Sequence, residues 1–189
     1  EAKSNPIAVP GLKTSAYLGI KLCWGDLTYE VVPFDEIIPR ILDDTYKSGL
    51  IIHEGQLTYV DHDLDVLVDL GVWWNEKTGG LPMPLGGNVV RRDLGQQVME
   101  DVTKYTKMSI EHSIANPDVA LQFAKKWGRG IDDDTNREFV TMYVNERTID
   151  YKKEGRDSIR MFLREGQEIG LIDSDFDVDS VRFIGADES

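Results

Sequence analysis

Short, continuously apolar runs alternating with segments of helical length set the strongest limit on what this chain can fold into. Ile7–Val9 reads as a strand closed by the turn formers Pro10 and Gly11, and "YEVVPF" (residues 29–34) and "LII" (50–52) repeat the pattern. Between the first two lies "LKTSAYLGIKLCWG", where Thr14 or Ser15 suits a helix N-cap and Gly25 a stop. Between the second and third lies "FDEIIPRILDDTYKSG". There Asp35 caps, Ile37, Ile38, Ile41 and Leu42 share a face, Pro39 sits early enough to be tolerated, and Gly49 ends the helix. Strands buried on both faces show unbroken apolar runs, and single intervening helices make them parallel neighbours. The expectation is an α/β sheet covered on both faces.

"DVLVDLGVWW" (65–74) adds another apolar run rich in Val and Leu. The paired glycines and two prolines of "GGLPMPLGGNVVRRDLG" then break the rhythm, predicting a crossing segment that ends in a strand over 88–91. From Asp93 the chain reads as helical. A long amphipathic helix should turn Val98, Val102, Tyr105, Met108 and Ile114 inward, and a second should run from Asn116-Pro117-Asp118 to Trp127 and Gly128. A third follows at "DDDTNREFVTMYVNE", its aspartates favoured by the helix dipole, and a fourth at "EGRDSIRMFLREGQEIGLI". The reading is a small α/β lobe over 6–85, a crossing strand with helices over 86–172, and an acidic, mobile tail over 173–189. Helices that follow a sheet must pack on something, which hints at a preceding lobe.

Charge narrows the partners. A net charge of −13 over 189 residues excludes the concentrated basic surface that nucleic acid needs, so an anionic small molecule must be met by a local positive site. No apolar stretch approaches the roughly 18–20 residues of a membrane span, and no signal peptide is visible. Cys23 is the sole cysteine, which excludes an internal disulfide and a Cys-based zinc cluster and fits a reducing, cytoplasmic setting. The tail string "DSDFDVDSVRFI" starts like a calcium loop, but Val178 replaces the turn glycine and Ile184 the bidentate glutamate, so no metal site is expected.

Two places carry chemistry. "PGLKTSAY" puts Thr14 and Ser15, with Lys13 beside them, at the start of a helix after a strand, where free amides and the helix dipole receive anions. A plain N-cap explains Thr14 equally, at about 0.5–2 kcal/mol. "GLIIHEG" ends an apolar strand on His53, at the carboxyl end of a parallel strand, where open α/β sheets hold ligands and where an imidazole can accept a proton. A loop histidine bonded to backbone is the competing reading. Glu54 is a neighbour more than a second catalyst. His62 and His112 carry no chemistry, Trp73 and Trp74 read as packing, and Arg91 is a candidate partner for a carboxylate.

Taken together, "IAVPGLKTSAYL", "GLIIHEGQLTY", "LVDLGVWWNEKTGGLPMPLGGNVVRRDLG" and "YVNERTID" closely resemble the 1,4-dihydroxy-6-naphthoate synthase family of menaquinone biosynthesis, from about residue 6 to about residue 172. The resemblance implies a two-lobed, periplasmic-binding-protein-like (type II) fold with its ligand between the lobes. It implies a carbon–carbon lyase of the futalosine route that takes cyclic dehypoxanthine futalosine to 1,4-dihydroxy-6-naphthoate and releases a three-carbon fragment, with no metal or organic cofactor. It carries the proton-accepting role to His53 and ligand binding to Thr14 and Ser15. The family usually has two threonines there, and Ser15 keeps the hydroxyl. Arg91 would be a further charge partner, and a homodimer is compatible with the reading. Family members carry a further segment before "IAVPG", so the first lobe is expected to be incomplete in this chain, and the residues alone are not expected to turn over substrate. Chorismate dehydratase, the sister activity, and a non-catalytic solute-binding protein are the alternatives. The second needs the helix-start site but no base, so His53 discriminates against it.

Overall fold

The computed structural model describes residues 5–53, 55–125 and 133–185, with side chains from residue 135 in the last segment. It is mixed α/β, mostly helical with a small sheet. In chain order the elements are β1 (Ile7–Val9), α1 (Ser15–Trp24), β2 (Tyr29–Val31), α2 (Ile37–Leu42), α3 (Gly55–Thr58), α4 (Leu70–Thr78), α5 (Gln96–Ala115), α6 (Pro117–Ala124), α7 (Asp133–Tyr143), α8 (Glu146–Ile149) and α9 (Lys152–Glu168). They divide into two compact units, Glu1–Gly86 with Ser158–Val178, and Gly87–Asp157 with Asp179–Ser189.

The first unit is organised by β1. It pairs in parallel with β2 in the register Ile7↔Tyr29, Ala8↔Glu30, Val9↔Val31. On its other side it forms a single parallel bridge, Ala8↔Gly49, with Ala8 N–H donating to Ser48 O and Leu50 N–H to Ala8 O. The "LII" strand expected over 50–52 is therefore reduced to one rung, centred a residue earlier. The alternation of a strand divides the core in two. Ile7 and Val9 pack with Tyr17 and Ile20 of α1, while Ala8 packs on the opposite face with Val32, Ile37 and Tyr46. Gly49 allows this closeness, since a Cβ there would lie 2.4 Å from Ile37 Cγ2 and 3.0 Å from Ile41 Cδ1. Coverage on both faces holds for β1, all of whose residues are buried, but β2 is exposed throughout.

Helix ends follow local capping chemistry. In α1, Thr14 is the N-cap and Gly25, at φ +74°, ends the helix as the sequence predicts. The helix expected over 35–49 stops at Leu42, because Asp43 and Asp44 turn the chain, Asp44 at φ +67° and the Asp43 carboxylate accepting from the Thr45 amide and hydroxyl. The apolar run 65–74 becomes a helix at Leu70, where Asp69 accepts from the Gly71 and Val72 amides. Trp74 is thereby buried against Phe162 of α9, with ring centroids 5.1 Å apart and edge-on. Its indole N–H donates to Ser158 Oγ (2.8 Å), which donates to Pro82 O (2.7 Å). Gly166 of α9 faces Leu18 of α1, whose Cδ2 would lie 3.2 Å from a Cβ at Gly166.

In the second unit α5 packs with α6, α8 and the turn 92–94, and α7 packs with α6. No strand forms over 88–91: among the described residues no strand pairs with this segment, and Val89 is 96% exposed. Along α5, Met99 is buried, whereas Val98, Val102, Tyr105, Met108 and Ile114, expected inward, are 42–63% exposed. Asn145 opens α8 with a capping box closed by Thr148. Residues 173–180, the first part of the acidic stretch, are tied down. Gln167 Nε2 donates to the carbonyls of Asp173 and Phe176, Val178 is buried, and Arg92 donates to Ser180 O. Trp127 and Gly128, and the side chains of the aspartates 132–134, lie outside the described residues.

Candidate functional site

Three segments run parallel through the first unit, and each delivers a residue of interest just past its carboxyl end. From β1 the chain turns through Pro10 and Gly11 to Thr14 and Ser15. From β2 it passes Val32 and Pro33 to Phe34, and from the Gly49 bridge it passes two isoleucines to His53. This is the end of an open parallel sheet at which ligands are received.

Thr14 serves its helix. Its hydroxyl donates to Gly11 O (2.9 Å) and accepts from the Tyr17 amide (3.0 Å), which closes the β1–α1 loop and fixes the direction of α1. Ser15, half-buried, donates to the carbonyl of Leu85 (2.5 Å), a residue 70 positions later. The segment around Leu85 is held at its start by Ser158 on Pro82 and by the Thr78 hydroxyl accepting from the Leu81 amide (3.1 Å). Met83 reaches Gly19 of α1, where a Cβ would lie 2.8 Å from Met83 Cε. The "LPMPL" stretch thus lies along α1 and places a carbonyl on the hydroxyl expected to meet a ligand. Lys13 is exposed beside this helix start.

His53 adopts φ +60°, a left-handed conformation uncommon outside glycine. Its carbonyl accepts from both the backbone N–H and the Nε2 of Gln56, each at 3.2 Å, which anchors the turn into α3. The side chain is exposed, and its ring rests on Phe34 with centroids 4.4 Å apart and planes tilted by 50°. Among the described residues no hydrogen bond engages either ring nitrogen; Glu54, expected as its neighbour, lies outside them. An exposed imidazole whose nitrogens no described residue engages can accept a proton from a bound molecule.

Arg91 belongs to the second unit. Its guanidinium pairs with Asp93 through Nε and Nη2, and both side chains are well exposed. That hydrogen bond holds the Asp93 carboxyl below its ordinary range. The structure therefore brings Thr14, Ser15 and His53 into one unit and commits Arg91 to a local ion pair. Phe34 and the Leu85 carbonyl were not anticipated. Phe34 was findable, because it closes the apolar run 29–34 at the carboxyl end of a parallel strand, the kind of position that singled out His53. Among the described residues no group of three or more His, Cys, Asp or Glu side chains gathers into a metal site, and no helix is long and apolar enough to cross a membrane.

Residues 1–168 match the family model described as menaquinone biosynthesis. A 1,4-dihydroxy-6-naphthoate synthase from Thermus thermophilus is 34% identical over 87% of this chain and 60% of its own length. The protein of the same name from Streptomyces coelicolor is 30% identical over 91% of this chain and 63% of its length. A crystal structure of a protein from Archaeoglobus fulgidus superposes with a TM-score of 0.86 at 39% identity, covering 90% of this chain and 64% of that one. The chain thus spans about three fifths of the length of the curated relatives it matches.

Proposed function

The chain belongs to the menaquinone-biosynthesis family, and from that premise we propose that it is part of a carbon–carbon lyase converting cyclic dehypoxanthine futalosine to 1,4-dihydroxy-6-naphthoate, with His53 as general base. The observation that carries this reading is the placement of His53. It is exposed at the carboxyl end of a parallel segment, with its backbone anchored by Gln56 and its ring nitrogens unengaged by the described residues.

A base begins such a fragmentation by taking a proton from the substrate, and the charge left behind needs a fixed positive counterpart. At the start of α1 the Tyr17 amide is already bound to Thr14 and the Leu18 amide to the Thr14 carbonyl. The amides of Ser15 and Ala16 remain for an anionic group, reinforced by the helix dipole and Lys13. Ser15 joins them by exchanging the Leu85 carbonyl for a substrate oxygen, a one-for-one trade of hydrogen bonds. Thr14 holds the loop that presents these donors. No metal or organic cofactor enters this chemistry, and an anionic small molecule is the substrate class.

We also place this chain in a two-lobed, periplasmic-binding-protein-like fold. The exposed stripe of Val98, Val102, Tyr105 and Met108 supports it, because apolar side chains aligned on one helix face call for a covering surface. We look for that surface in the part of the relatives' length that this chain does not span.

The test is His53→Ala in the longest polypeptide that the reading frame encodes. Turnover of cyclic dehypoxanthine futalosine should fall by about 10²–10⁴-fold, with substrate binding by calorimetry retained. Turnover at the parent rate would remove the assignment. Offering chorismate to the same preparation decides against the sister dehydratase.

A further inference from the structure

We propose that Phe34 is the positioning residue for His53, doing for the imidazole what a carboxylate does in many catalytic histidine sites. The inference rests on the reading of His53 as base.

A general base must be held in direction as well as place. In many enzymes a carboxylate or carbonyl bound to one ring nitrogen supplies that restraint. Here, among the described residues, neither nitrogen of His53 has such a partner, and the ring is exposed. The backbone is fixed by the left-handed turn at φ +60° and by the two hydrogen bonds from Gln56. This sets the Cα–Cβ direction and leaves the side-chain torsions free. Among the described residues, the ring contact that restrains them is the phenyl at 4.4 Å.

Phe34 is itself well anchored. It opens the 3-10 turn Phe34–Glu36, whose next residue, Ile37, is 1% exposed in the core beneath Ala8. β2 and the Gly49 bridge flank β1 on opposite sides, because Ile7 and Val9 bond to the β2 side and Ala8 to the other. The Phe34–His53 contact therefore joins the two outer segments over the carboxyl end of the central one. A phenyl ring in contact at this tilt restricts rotation of the imidazole, while its two nitrogens stay unengaged by the described residues.

Correct orientation of reacting groups is worth large rate factors, and small displacements cost up to about 10²-fold. Phe34→Ala should therefore lower kcat by roughly 10- to 100-fold, with KM changed by less than about threefold, since the phenyl acts on the base and not on substrate affinity. Phe34→Leu keeps apolar bulk at this half-buried position and should show the same loss. Phe34→Tyr restores the ring and should return kcat to within about threefold of the parent. The His53 ring protons should also lose an aromatic ring-current shift in Phe34→Leu, visible by NMR without substrate. An unchanged kcat in Phe34→Leu beside an inactive His53→Ala would overturn the assignment of Phe34 alone. So would failure of Phe34→Tyr to rescue. Full turnover in His53→Ala would instead remove the functional reading on which the assignment stands.

Discussion

Replacing Ser158 with alanine tests the account of the first unit's core most sharply. The hydroxyl is fully buried and sits between two partners that depend on it, accepting from the Trp74 indole at 2.8 Å and donating to the Pro82 carbonyl at 2.7 Å. Trp74 is also 0% exposed, so in Ser158→Ala its N–H keeps no access to water, and an unsatisfied buried donor costs about 1–3 kcal/mol. Pro82 is only half-buried, so its carbonyl recovers a water, and its loss is about 0.5–1.5 kcal/mol. Together they come to about 1.5–4.5 kcal/mol, a large part of the roughly 5–15 kcal/mol that holds a typical domain. Urea unfolding followed by tryptophan fluorescence measures it. Trp74→Phe removes the indole donor and keeps an aromatic ring beside Phe162, so in that background Ser158→Ala should cost only the Pro82 share, about 1 kcal/mol. A loss below about 0.5 kcal/mol in the parent, or the same loss in both backgrounds, refutes the relay.

Gly49→Ala should destabilise by about 1–3 kcal/mol, because the added Cβ would lie 2.4 Å from Ile37 Cγ2. An unaltered thermal midpoint would show that the β1–α2 packing is looser than described. Alkaline pH should weaken the fold through Tyr17, whose phenol is pushed up to about 12 by burial and then by its hydrogen bond with Tyr29. With the unfolded phenol near 10, the unfolded state releases its proton first. Stability is then intact below about pH 10 and falls toward pH 12. Tyr17→Phe should flatten that decline in pH-dependent urea titrations, and a slope equal to the parent's would contradict it.

What the sequence made legible was local. Thr14 and Gly25 announce the ends of α1 because capping chemistry acts within a few residues. The same reasoning overran at α2, since the Asp43-Asp44 turn is set by a carboxylate folding back on Thr45, which competes with helix continuation. It left 65–74 as an apolar run without an element because such a run fits a strand or a buried helix alike, and Asp69 decides in favour of the helix. It turned the α5 stripe inward because periodicity marks a shared face without saying what covers that face. Partners remote in sequence, Ser15 with Leu85 and Trp74 with Ser158, leave no trace in any window of the chain. For the site, strand-end position selected His53 and family resemblance gave it a role. The same position rule reaches Phe34, whose value lies in a contact that only the sheet order creates.

That sheet order also explains why the site can be small and still be specified. Alternation along three residues of β1 assigns its outer pair to one core and Ala8 to the other, and each core anchors one arm of the site. Ile7 and Val9 pack on α1, whose N-terminus carries Ser15. Ala8 packs on Ile37, which follows directly from the turn that begins at Phe34. Slipping β1 by one residue would exchange the two faces and move both arms together. The hydroxyl at the start of α1 and the imidazole against Phe34 are consequently tied to one register, and a substitution that loosens β1 should degrade donor placement and base placement at once.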